Sequence, residues 1–215
     1  MCIRDRAELC QSCWYPIYAY VRRTGQRPHD AEDLTQSFFA RLLEKNFFAV
    51  ADKEKGRLRA FLLTCVKCHL ADEHDRAMAQ KRGGGKVTSF TSTWAEERYA
   101  AEPVDDLTPD RLYQRRWALT LLDATLRVLE EEFMREGKAE LFAALRPYLG
   151  FTASVEENYQ ATADKLGMNL NTLKSHIHRL RERWKDALMA QVASTLDEPT
   201  SDNIKAELSE LIGCV

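Results

Sequence analysis

Between Tyr159 and Trp184 the chain reads YQATADKLGMNLNTLKSHIHRLRERW, a short helical pattern, a glycine-centred break and a longer helical pattern. Few local folds accommodate that string. Ala163 and Leu166 give the first helix an inner side, Gly167 supplies the backbone freedom of a tight turn, and Asn169 is a good N-cap for a new helix. Leu173, Ile177, Leu180 and Trp184 then recur at helical spacing and predict one buried stripe. Asn171, Lys174, Ser175, His178 and Arg179 fall on the opposite face. The pattern predicts a helix-turn-helix. Amide, hydroxyl and imidazole groups suit base edges in a major groove, and Lys174, Arg179, Arg181 and Arg183 suit phosphate or guanine, so DNA is the first partner these residues suggest. The same spacing also fits an ordinary antiparallel helix pair with a solvated basic face.

Helical periodicity dominates the rest of the chain, with no convincing alternating pattern bounded by hairpin turns, so an all-α fold is expected. The 215 residues allow one or two domains with real cores, and a hydrophobic share of 45% is ordinary for a soluble protein. A net charge of −2 hides an asymmetry: Glu130, Glu131 and Glu132 cluster, while basic residues gather in the final long helix. No apolar run is long enough to cross a bilayer and Met1 to Arg6 lacks secretory character, so a cytoplasmic protein with no membrane partner is expected, its six cysteines mostly reduced. An aromatic opening helix, CWYPIYAYVRRTG, leads to a second helix with an acidic start at Asp30, Glu32 and Asp33 and an inner stripe of Leu34, Phe38 and Leu42. A third begins near Arg57, carries Leu58, Leu62, Cys65, Val66 and His69 on one side, and stops at Gly83-Gly84-Gly85. These patterns divide the chain into a first domain over 1–83, a flexible linker over 84–110, a second helical domain over 111–196 and a tail over 197–215. The tail's Ile204, Leu208 and Leu211 form a short amphipathic stretch, expected to dock on the second domain, with a silencing role as the alternative.

Some constellations tempt toward other chemistry. Cys65-Val66-Lys67-Cys68-His69 matches the c-type haem attachment pattern, yet it lies within a continuous amphipathic helix of a chain read as unexported. Cys10 and Cys13 with Cys65 and Cys68 offer four thiolates for zinc, but the pairs are far apart and sit in helices rather than knuckle turns; buried small thiols are the simpler account. Gly83-Gly84-Gly85-Lys86 has Gln80 where a P-loop needs its first glycine. Asp72 to Asp75 point in successive directions around a helix. No catalytic residues, metal or cofactor are therefore expected, and the chain does not read as an enzyme.

Three segments together resemble the sigma-70 family, in its extracytoplasmic-function (ECF) class of RNA polymerase sigma factors. DAEDLTQSFFARLLE resembles the polymerase-core-binding helix of the first sigma domain, its pattern falling on Asp30, Ala31, Glu32, Asp33, Leu34, Gln36 and Phe39. LRAFLLTCVKCHLADEHDRA resembles the strand-opening, minus-ten-binding helix, and Gly167 to Ser175 resembles the minus-thirty-five reader, with Asn169 in place of its cap serine and Leu173 in place of its valine. WYPIYAYVRRTG, LADEHDRAMAQKRGGG and RRWALTLLDATL are similar to a planctomycete-type lineage of these factors. The first six residues do not fit that lineage, and a truncated or foreign N-terminus is the expectation.

The resemblance implies two small helical domains, region 2-like and region 4-like, on a flexible linker. It implies core binding by Asp30, Asp33, Gln36 and Phe39, and minus-ten contacts by Arg57, Arg59, Phe61, Lys67, Arg76, Lys81 and Arg82. It implies minus-thirty-five contacts by Asn169, Asn171, Thr172, Lys174, Ser175, His178, Arg179 and Arg181. The partners implied are promoter DNA, RNA polymerase core, and an anti-sigma factor or regulatory kinase. The rival from another class is a helix-turn-helix regulator that never engages core polymerase, which has no reason to carry the Asp30 and Leu58 segments.

Overall fold

The computed structural model describes residues 3–44, 57–80, 93–101, 107–149 and 159–214. Among them every named element is helical, as the periodicity predicts, and the isolated bridge between Arg57 and Leu196 is the extended pairing beside them. The chain divides into two compact units: residues 1–120 with 193–215, and residues 121–192.

The first unit opens with α1 (Ile3–Arg23) and α2 (Pro28–Glu44). Proline is well placed at the start of α2, where its missing N–H has no intrahelical partner to lose. Ala31, Thr35, Phe38, Phe39 and Leu42 are buried along one broad face of α2, and the Thr35 hydroxyl satisfies itself by donating to the Ala31 carbonyl at 2.7 Å. In α3 (Leu58–Gln80) Leu62, Val66 and His69 are buried one turn apart, as the spacing predicts. Lys81 and Arg82, expected as DNA contacts, lie outside the described residues.

Within the stretch expected as a linker, Thr93–Ala100 forms helix α4. Ala95 is fully buried, and Glu96 accepts from the Tyr18 hydroxyl at 2.7 Å and from the Arg22 guanidinium at 2.9 and 2.7 Å, which ties α4 to α1. Arg22 holds the Glu96 carboxyl below the ordinary carboxylate range. Helix α5 (Pro109–Arg135) contributes Leu112, Tyr113, Trp117 and Ala118 to this unit before the boundary at Thr120.

The second unit takes the remainder of α5, then α6 (Ala139–Leu145), a 3₁₀ turn (Arg146–Leu149), α7 (Tyr159–Lys165) and α8 (Leu170–Ala193) up to Val192. Its core joins Leu129, Phe133, Phe142, Leu145, Tyr148, Ala163, Leu173, Ile177 and Leu180, with Trp184 packed against it. The stripe predicted for α8 is therefore the buried one. The last helix, α9 (Ser201–Ile212), is capped by the Thr200 hydroxyl and belongs to the first unit. Docking on the second domain was the expectation for this stretch; carboxylates of α9 bind arginines at the start of α3 instead.

Candidate nucleic-acid interface

The turn between α7 and α8 is built from two local devices. Gly167 has φ +63°, the left-handed region that a side chain rarely adopts, and so it ends α7. The Met168 N–H reaches back to the Ala163 carbonyl at 3.0 Å and the Gly167 N–H to Asp164 at 3.1 Å, the paired bonds of a Schellman stop. Two residues on, the Asn169 side-chain oxygen accepts from the Thr172 N–H at 2.8 Å and starts α8. Burial of Ala163, Leu173, Ile177 and Leu180 fixes which side of α8 faces inward.

The opposite side carries Asn171, Lys174, Ser175, His178 and Arg179, all exposed, with Thr172 half-buried. Ser175 donates to the Asn171 carbonyl at 2.9 Å, a local helix bond that leaves the hydroxyl able to accept. The site lies on a helix of 24 residues seated by a packed core, so its side chains project from a rigid element.

Arg181 and Arg183 differ from the others. Arg181 donates from Nε and Nη2 to the Tyr148 carbonyl at 3.0 and 2.9 Å and so anchors α8 to the 3₁₀ turn. Arg183 bonds Glu132 at 2.8 Å and Glu136 at 2.9 Å with its guanidinium over the Phe133 ring. Both have internal partners that a phosphate would need to displace.

In the first unit the four residues expected on the core-binding helix divide. Asp30 is exposed; Asp33 is half-buried and lies 3.4 Å from His29; Gln36 is exposed and donates to Glu32 at 3.4 Å. Phe39 is buried and meets Phe38 edge to face, so it supports α2 from within. On α3, Phe61 is half-buried, Lys67 bonds Asp110 at 2.9 Å and Arg76 bonds Glu73. Arg57 and Arg59 both bind Glu207 and Glu210. Sequence patterns missed this last group, because nothing in the spacing of Glu207 and Glu210 marks them as partners of residues some 150 positions earlier.

The spacing also places His69 on the inner side of α3 but gives no sign of what its ring meets there. Ser37 Oγ lies 3.1 Å from the Leu34 carbonyl and 2.9 Å from His69 Nε2; with its hydroxyl donating to Leu34, it accepts from an Nε2 that carries the proton. His69 Nδ1 is buried without a hydrogen-bond partner, and burial pushes the imidazole below its ordinary range. Burial likewise pushes the Cys65 thiol upward. No described helix is long and apolar enough to cross a membrane.

Residues 15–79 match the family model described as sigma-70 region 2. The chain is 26% identical over 179 residues to the ECF RNA polymerase sigma factor SigE of Mycolicibacterium smegmatis, an alignment covering 83% of this chain and 60% of that protein. No solved structure matches. The chain thus carries, over residues 15–79, a segment similar to sigma-70 region 2, and over most of its length it is similar to a sigma factor of the ECF class.

Proposed function

We propose that this chain is an ECF-class sigma factor of the planctomycete-type lineage, which binds RNA polymerase core and directs it to a restricted set of promoters. The observation that carries the proposal is the presence on one chain of a segment similar to sigma-70 region 2 and a Schellman-turned helix pair with an exposed polar and basic face. A location signal alone needs the second; recruiting and opening need both. On this reading α2 docks the polymerase through Asp30, Asp33 and Gln36, α3 and the residues following it hold the minus-ten strand, and α8 reads the minus-thirty-five element. The face of α8 supports this because Lys174, His178 and Arg179 offer charge-assisted and base-edge bonds at successive turns. Strand capture is favourable when a flipped base finds a protein surface that offsets unstacking, so the chain needs no bond-making chemistry of its own. An anti-sigma factor or kinase is the partner class proposed to hold it silent.

A regulator that never engages polymerase would leave the 15–79 similarity without a role. Adding the purified chain to core polymerase on a supercoiled genomic library tests the proposal directly. Transcripts starting at discrete positions are expected. Failure to start any chain, with no retention of the protein on immobilised core, would overturn it.

A further inference from the structure

Arg57 and the three described cations of α3 proposed as DNA contacts each hold a carboxylate, but two of the four hold carboxylates from the far end of the chain. Arg59 donates to Glu207 from Nε at 2.5 Å and from Nη2 at 3.0 Å, and to Glu210 at 2.6 Å. Arg57 reaches Glu207 at 3.1 Å and also bonds Glu210. Glu207 is 1% exposed and Arg59 6%, so both charges have left water; Glu210 remains about half exposed.

A buried ion pair is a poor device for stability alone, since apolar side chains of similar volume hold a contact at least as well. Its distinctive property is exchange. A guanidinium that binds two carboxylates through several N–H groups presents the same fork to a phosphate, so one anion can replace the other without stranding a buried cation. The apolar hold of α9 is small, with Ile204 and Leu211 buried and Leu208 half-buried. Its mooring and its moving part are separable: Leu58 N–H bonds the Thr195 carbonyl at 3.0 Å and Arg57 bridges Leu196, while Asp197 to Thr200, including Pro199, are exposed between that bridge and the helix.

We propose that α9 is an acidic latch: Glu207 and Glu210 occupy the phosphate positions of Arg57 and Arg59, and DNA must displace them. The inference rests on the proposed DNA role of α3. In the closed state the two arginines contribute nothing to DNA affinity; in the open state α9 swings on 197–200 and each guanidinium takes a backbone phosphate.

The test is a fluorescence anisotropy titration of the full chain with a 30-base-pair duplex of arbitrary sequence across a salt series. Glu207→Gln with Glu210→Gln is expected to bind about tenfold tighter at low salt, with a slope of log K against log salt steeper by about 1.8, the share of two phosphates. Glu198→Gln with Asp202→Asn makes the same charge change on exposed residues of the same segment, and is expected to leave the slope unchanged. A folded double variant with the parent's slope overturns the latch and makes α9 a structural clasp. Should the double variant not fold, Glu210→Gln at its half-exposed position carries the test, with a slope change of about 0.9. Promoter-dependent transcription with core polymerase is run in parallel. Transcription with an unchanged slope sinks the latch and spares the sigma reading; a steeper slope without transcription does the reverse.

Discussion

His69 shows how a single side chain fixes a pH limit. The relay from its Nε2–H to the Ser37 oxygen and from the Ser37 hydroxyl to the Leu34 carbonyl is open to the neutral and the charged ring alike, so the limit is set at the other nitrogen. Protonation would place a second N–H on Nδ1, which is buried without an acceptor. Around the ring stand Phe38 and the charged groups Arg41, Asp72, Glu73 and Arg76, whose opposing effects leave burial as the largest influence. A folded-state value below the ordinary one means that the unfolded chain takes the proton first. The stability that His69 contributes is thus fully present above the ordinary imidazole value of about 6.5 and is lost as pH falls from there toward the folded value. Urea unfolding of the parent should weaken between pH 7.5 and 5 by as much as about 1.4 kcal/mol per pH unit within that window, relative to His69→Gln, which still donates to Ser37 and cannot titrate. Parallel pH profiles for the two proteins would reject the relay.

Helix α8 was legible in advance because its inner stripe, its cap and its glycine stop are all local: each is written within a few residues of where it acts. What its arginines bind was not legible. The Tyr148 carbonyl, Glu132 of α5 and Glu136 just past its end are brought alongside by folding, and the periodicity of α8 carries no trace of them. Two substitutions separate the roles. Lys174→Ala with Arg179→Ala removes exposed cations, so it should lower the salt slope of DNA binding by about 1.8 and leave the melting temperature within error. Arg181→Ala removes two donors from the Tyr148 carbonyl and should cost roughly 1–3 kcal/mol in chemical denaturation with little change in slope. The reverse assignment in those two assays would make Arg181 a DNA ligand. Helix α2 gives a related lesson: its apolar face is wide enough to take both Phe38 and Phe39, and a stripe drawn through Leu34, Phe38 and Leu42 finds the helix but misplaces its edge. Helix α4 escaped notice because eight residues beside Ser/Thr-rich sequence give too little periodicity to read.

At the scale of the chain, adjacency in sequence misleads. Residues 193–215 follow the second unit directly, yet they complete the first, because two carboxylates there match two arginines near residue 58. Charge complementarity at such separation leaves no periodic signature, so only the folded chain reveals it. The all-α class survived this because it depends on local pattern alone. Division into two units, each with its own buried residues, has a functional corollary under the proposed role: surfaces on different units should fail independently. On α2 the test needs care, since Phe39→Ala would open a cavity worth about 3–5 kcal/mol and abolish polymerase binding for a trivial reason. Asp33→Ala with Gln36→Ala alters only half-buried and exposed groups, and should leave thermal stability within about 0.5 kcal/mol. That pair is expected to reduce capture of the chain on immobilised core polymerase at least tenfold, about 1.4 kcal/mol. Its salt slope on duplex DNA, set by cations elsewhere, should match the parent. Loss of both properties together would mean that the two units do not divide the work.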